Sequence, residues 1–320
     1  MRPTPRFRLA ALLLTFATVL LLGSCATRLP PPEPVDVLGP LSPQALFYVE
    51  ARGSDVSLIA RELESGTGAD KPKLRDALRS IRGLADRGRL FGLALLPGQK
   101  SDAARPNPLP AFEATVAGNF SSFGLWFNFI GARDWRRTEG RWENRSMDLG
   151  VALPRQGLLV AARGDVRPLA ARALSKRPTP IPEAYAKLVD EGLVAWIPDP
   201  IQGLGPGLGL ETSLLAAQGL PTFDLLLVAR TETLKDGAPG SRDALDLDLA
   251  ILPRDGASAR LLLPAIRLGW YFLADKLPFE GKPSFKAEGD ALRIGGLRLP
   301  LARLAAIVEK GMKDEGVGRQ

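Results

Sequence analysis

A single cysteine, Cys25, and no histidine stand among the 320 residues of this chain. No intrachain disulfide can form, and no thiolate zinc site or iron–sulfur cluster can be built. Nor is there an imidazole to act as a base, a metal ligand or the partner of a nucleophile. The fold must therefore form without disulfide cross-links, with its core built by apolar burial. The chain is long enough for this: 45% of its residues are apolar and 24% charged, a globular composition. No cofactor and no metal are expected.

The cysteine also has an unusual setting. Arg2, Arg6 and Arg8 precede an uncharged, mostly aliphatic run from Leu9 to Leu22. Fourteen such residues are too few for a bilayer span, which needs roughly 20, but suit the apolar region of a signal peptide. The run ends in Leu22-Gly23-Ser24-Cys25. This tetrapeptide resembles the lipobox of bacterial lipoproteins, with an aliphatic residue, two small ones and then Cys. The resemblance covers only residues 1–25. It implies that the Cys25 thiol receives a diacylglyceryl group, that residues 1–24 are cut off by signal peptidase II, and that the new amine is acylated. Ala26 follows, not the Asp that serves as an inner-membrane retention signal, so the resemblance further implies the outer membrane. Loss of 1–24 removes three arginines and leaves 39 basic against 35 acidic side chains. That mild excess is no nucleic-acid footprint.

Residues 25–45 hold Pro30, Pro31, Pro32, Pro34, Pro40 and Pro43. Such a stretch favours extended polyproline geometry, so it is expected to be a tether between the lipid and the body. A charged tail is expected at 314–320.

Between tether and tail the order of elements suggests an internal duplication, 46–176 and 183–313, joined by the Pro-rich stretch 177–182. Each half opens on a short apolar strand, Leu46–Val49 or Leu193–Ile197. Helical periodicity follows at Ser54–Glu64 and Lys73–Asp86 in the first half, and at Leu210–Gln218 in the second. Each half then has a strand pair, a long apolar helix (Ser121–Ala132 or Ser258–Asp275), a hairpin at Glu139-Gly140 or Glu288-Gly289, and a last helix. The expected fold is α+β, two related units, each a mostly antiparallel sheet with helices packed on one face. The second half has less chain after its hairpin, so it is expected to lack a partner for the strand Leu158–Ala162. That strand is apolar without alternation, which predicts burial on both faces.

Three motifs have both a functional and a plain reading. Asp246 and Asp248 in Leu-Asp-Leu-Asp-Leu could hold a cation, but the alternation also describes a strand with one solvated face. The Gly203–Gly209 run fails the phosphate-loop patterns, having no following Lys and the wrong spacing. Trp135, Arg137, Arg141 and Trp142 are the densest cationic–aromatic patch. A turn at Glu139-Gly140 would set Arg137 against Trp142 and Arg136 against Glu143. The patch is a candidate surface for an anionic glycan or a lipid headgroup.

The expected function is a lipid-anchored envelope protein with a non-enzymatic binding, scaffold or assembly role. Its partners would be the membrane, through the lipid, and other envelope proteins, glycan or lipid. The alternative is an envelope hydrolase working with carboxylates alone, which requires two acids about 5–10 Å apart in a cleft.

Overall fold

The computed structural model describes residues 35–66, 72–97, 111–121, 134–144, 148–181, 192–200, 222–231, 244–254, 259–273 and 279–306. Cys25, the Gly203–Gly209 run, and most or all of the expected helices Ser121–Ala132 and Leu210–Gln218 lie outside them.

Twelve strands form one sheet. In chain order they are β1 (Phe47–Arg52), β2 (Gly88–Leu95), β3 (Phe112–Gly118), β4 (Trp135–Thr138), β5 (Arg141–Asn144), β6 (Leu149–Arg155), β7 (Leu158–Arg163), β8 (Leu193–Ile197), β9 (Phe223–Arg230), β10 (Ala244–Pro253), β11 (Ser284–Glu288) and β12 (Ala291–Pro300). The helices are α1 (Gly53–Gly66), α2 (Pro72–Ala85), α3 (Arg167–Ala173) and α4 (Ala259–Leu273), with a further helical stretch at 301–306. None of the helices described is long and apolar enough to cross a membrane.

The sheet runs β11-β12-β10-β9-β8-β1-β2-β3-β7-β6-β5-β4, and every neighbouring pair is antiparallel. β1 and β8 pair at the centre, with Tyr48 opposite Trp196. Outward from this seam the first wing reads β1, β2, β3, β7, β6, and the second reads β8, β9, β10, β12, β11. In each wing the strand after the third in sequence order leaves its neighbour and returns.

This order corrects two expectations. β12 lies beside β10 as β7 lies beside β3, so the place of Leu158–Ala162 is filled in the second wing. Among the described residues, that wing has no pair like β4–β5. The two hairpins expected at matching places in the halves are also not counterparts. Glu139-Gly140 joins β4 to β5, at the seventh and sixth places from the seam, whereas Glu288-Gly289 joins β11 to β12, at the fifth and fourth. Both turns do need positive φ: Glu139 has 49°, Gly140 81° and Gly289 58°. Equal turn chemistry thus marked unequal positions.

Helices cover both faces of the sheet, not one. Alternation along the strands separates two apolar layers. On one face, Leu58 and Leu63 of α1, Leu78 of α2, and Leu263, Ile266 and Trp270 of α4 pack over Leu245, Leu247, Ile251, Leu292 and Ile294. Leu84 of α2 continues that layer over Val116, Val151, Leu159 and Ala161. On the other face, α3 sends Leu169 and Ala173 onto Leu158, Val160 and Ala162. A strand flanked by both layers is buried throughout: residues 158–162 are no more than 3% exposed.

The segment expected to be tether is part of that second layer from Val35 onward. Val37 and Leu38 are wholly buried and Leu41 nearly so, packed with Tyr48, Trp196 and Leu169. Its backbone polar groups find partners. Ser42 N donates to Glu113 Oε2 at 2.6 Å. The Thr115 hydroxyl donates to Val37 O. Arg172 Nε of α3 donates to Pro40 O at 2.7 Å, and its guanidinium pairs with Glu113. Asp36 Oδ1 accepts from Leu38 N and Gly39 N, each at 2.9 Å. Gly92 makes the approach possible, since a Cβ there would stand 2.5 Å from Val37 O.

Candidate functional site

On the same face, the second wing carries a groove of about 310 Å³. Its floor is Leu226, Val228 and Ala250, one from each alternate position of β9 and β10. β12 makes it concave. Leu247 pairs with Leu297 and Leu249 with Ile294, so two residues, Gly295 and Gly296, oppose Asp248. This is a β-bulge. Gly296 takes φ 77°, and a Cβ on it would meet Lys282 O at 2.7 Å. A Cβ on Gly295 would reach 3.1 Å from Asp248 Oδ1 and 3.4 Å from Ser284 Oγ. Glycine at both positions therefore permits the close packing of the bulge, where a side chain would crowd its neighbours.

The rim is charged. Arg230 pairs with Asp248 across β9 and β10. Arg293 Nε sits 3.0 Å from Glu288 Oε2. Lys286, exposed on the edge strand β11, also lines the groove. Among the described residues its ammonium has no hydrogen-bond or ion-pair partner. Three cations thus face two carboxylates.

The Asp246/Asp248 pair takes the plain reading of its alternation. Both carboxylates share one face and bind arginines, Asp246 with Arg298 at 3.3 Å and Asp248 with Arg230. Leu245 and Leu247 are buried on the other face. No group of His, Cys, Asp and Glu able to hold a metal occurs among the described residues.

The cationic–aromatic patch is divided by the sheet. Arg137 does stand opposite Trp142, and Arg136 opposite Glu143. Yet Trp135 and Trp142 are only 8% and 7% exposed, packed with Phe120, Leu149 and Val151. Arg141 lies on the opposite face, held between Glu139 at 2.8 Å and Glu143 at 2.7 Å. Those two hydrogen-bonded carboxylates push its pKa above the ordinary arginine value, Glu143 most. Glu143 therefore engages Arg141, its strand neighbour two residues away. An indole fills core space better than surface space, and the hairpin lays its aromatic face inward.

Sequence reasoning missed both the groove and the docked segment. The Gly295-Gly296 pair inside an alternating strand was the available signal for the groove, because such a pair marks a bulge.

At the seam, Tyr48 is 2% exposed and its hydroxyl donates to Ser42 O at 2.6 Å. Burial pushes this phenol above its ordinary 10.0, and the Glu113 charge adds to that. A backbone hydrogen bond at Ala45 acts in the opposite sense. A folded-state value above the unfolded one gives stability that is complete below about pH 10 and lost as pH rises through the folded value. Tyr48→Phe should cost about 1 kcal/mol at neutral pH and flatten the alkaline fall. Urea unfolding from about pH 8 to 11 reads both effects. An unchanged alkaline slope in the variant would assign it to another group.

No protein family model matches the sequence, and no curated protein matches it. Solved structures do match in fold. Crystal forms III and I of TP0453 each give a TM-score of 0.55, at 14% and 16% identity, over 87% of this chain and 99% of that one. Crystal form IV gives 0.54 at 16% identity, over 86% and 97%. At such identity the likeness is one of fold.

Proposed function

We propose that the chain is a lipid-anchored protein of the bacterial cell envelope, held at the outer membrane through Cys25, with a non-enzymatic binding or scaffold role. The observation that carries this reading is the sequence Leu22-Gly23-Ser24-Cys25 at the end of an apolar run. The docked segment adds support. Only twelve residue steps separate Cys25 from the buried Val37, so they reach about 40 Å at most. The body of the protein would be hung close to the bilayer, with the anchor's end sewn into the sheet rather than to a loose terminus.

A wide sheet covered on both faces suits a binding or assembly role. The carboxylate hydrolase has no comparable support. The groove's two acids, Asp248 and Glu288, each pair with an arginine rather than with one another.

The test is Cys25→Ala. Stable anchoring needs about two acyl chains, each methylene adding about 0.8 kcal/mol, and a diacylglyceryl group supplies two. Radiolabelled palmitate should enter the wild-type protein and not the variant, and the variant should keep residues 1–24 uncleaved by signal peptidase II. Palmitate in the variant at wild-type level would overturn the anchor.

A further inference from the structure

The two wings treat the same face of the sheet differently. In the first wing, strands at the second to fifth places from the seam are covered by residues 35–45 and by α3. In the second wing, the strands at those places carry the groove. The first-wing cover is an extended segment, Val35-Asp36-Val37-Leu38-Gly39-Pro40-Leu41-Ser42. Its apolar side chains meet the sheet while Glu113, Thr115 and Arg172 bind its backbone. The second wing offers the same kinds of group: an apolar floor of Leu226, Val228 and Ala250, and hydrogen-bonding side chains in Ser284, Arg230 and Lys286.

We propose that this groove binds an extended, acid-bearing segment of a partner protein, in the manner in which the first wing holds the chain's own residues 35–45. Charge selects the acid. Arg230 and Arg293 are each matched by a carboxylate, but the Lys286 ammonium has no such match among the described residues. A carboxylate on the incoming segment would supply that match, while its apolar side chains would lie on the floor of Leu226, Val228 and Ala250. The site deepens the binding role proposed above, yet it rests on the groove and not on the lipid anchor, so Cys25→Ala leaves its test untouched.

The test uses the full-length protein and a synthetic peptide with the sequence of residues 35–42. The readout is acylation of Lys286 by an amine reagent, followed by mass spectrometry. Saturating peptide should slow that acylation. Lys286→Glu reverses the rim charge, and Ser284→Trp fills the groove from an exposed edge position. Each should weaken peptide binding, measured by calorimetry, about fivefold or more, the worth of roughly 1 kcal/mol. A peptide with Lys in place of its Asp should lose a similar factor. The proposal is overturned if no peptide binds, if both variants bind as well as wild type, or if binding leaves Lys286 reactivity unchanged, as exchange into the first wing would. Slow acylation without peptide would assign the groove to the chain's own residues. Protection by sodium octanoate or anionic vesicles but not by peptide would assign it to a small anion or a lipid.

Discussion

Arg172→Ala should lower the unfolding free energy by about 3–5 kcal/mol, the usual cost of leaving a buried charge without its partner. Arg172 and Glu113 have side chains only 16% and 10% exposed. The guanidinium serves two groups, the Glu113 carboxylate and Pro40 O. Its loss leaves Glu113 facing Ser42 N–H alone among the described contacts, and frees one end of the 35–45 segment. The expected result is a drop in the urea midpoint with faster proteolysis inside 35–45. Adding Glu113→Gln should restore part of the loss, because a neutral amide no longer requires a cation. A single variant within 0.5 kcal/mol of wild type, on the scale of ordinary surface changes, would refute the clamp.

The second large effect belongs to Asp55. Its carboxylate lies in the first turn of α1 and is fully buried. It accepts from Thr231 Oγ1 at 2.6 Å and from Arg52 Nε at 2.8 Å. Thr231 follows β9, 176 positions along the chain, so this carboxylate ties the first wing's helix to the second wing's strand. An acid at a helix N-terminus also meets the positive end of the helix dipole. Asp55→Ala would leave the buried Thr231 hydroxyl without this acceptor, and Arg52 without this counter-charge. We expect a loss of about 3 kcal/mol, or roughly 5–10 °C in Tm for a chain of this size. Thr231→Val should cost less, because it removes donor and demand together. Equal losses in the two variants, or none in Asp55→Ala, would show that the carboxylate does not join the wings.

Several features were legible before any coordinates. Leu-Asp-Leu-Asp-Leu announces a strand with one charged face, and β10 has it. The unbroken apolar run 158–162 announces a strand covered twice, and it is. The docked segment was not legible. Prolines stiffen an extended chain whether it crosses solvent or lies on a sheet, and the residues that capture it are Glu113, Thr115 and Arg172, some 70 to 135 positions away.

What the amino-acid sequence determined by itself is local: the strand and helix periods, the turns that demand positive φ, the absence of disulfide and imidazole chemistry, and the candidate anchor at Cys25. Each follows from a property of neighbouring residues. The tertiary structure alone decided that the twelve described strands join one sheet about the β1–β8 seam, that helices cover both faces, that the tryptophans of the β4–β5 hairpin turn inward, and that one wing is roofed by residues 35–45 while the other keeps a groove. These are choices among pairings of similar local strength. They were settled by which arrangement buries the most apolar surface while leaving fewest backbone groups without a partner, a sum taken over contacts that no stretch of sequence contains.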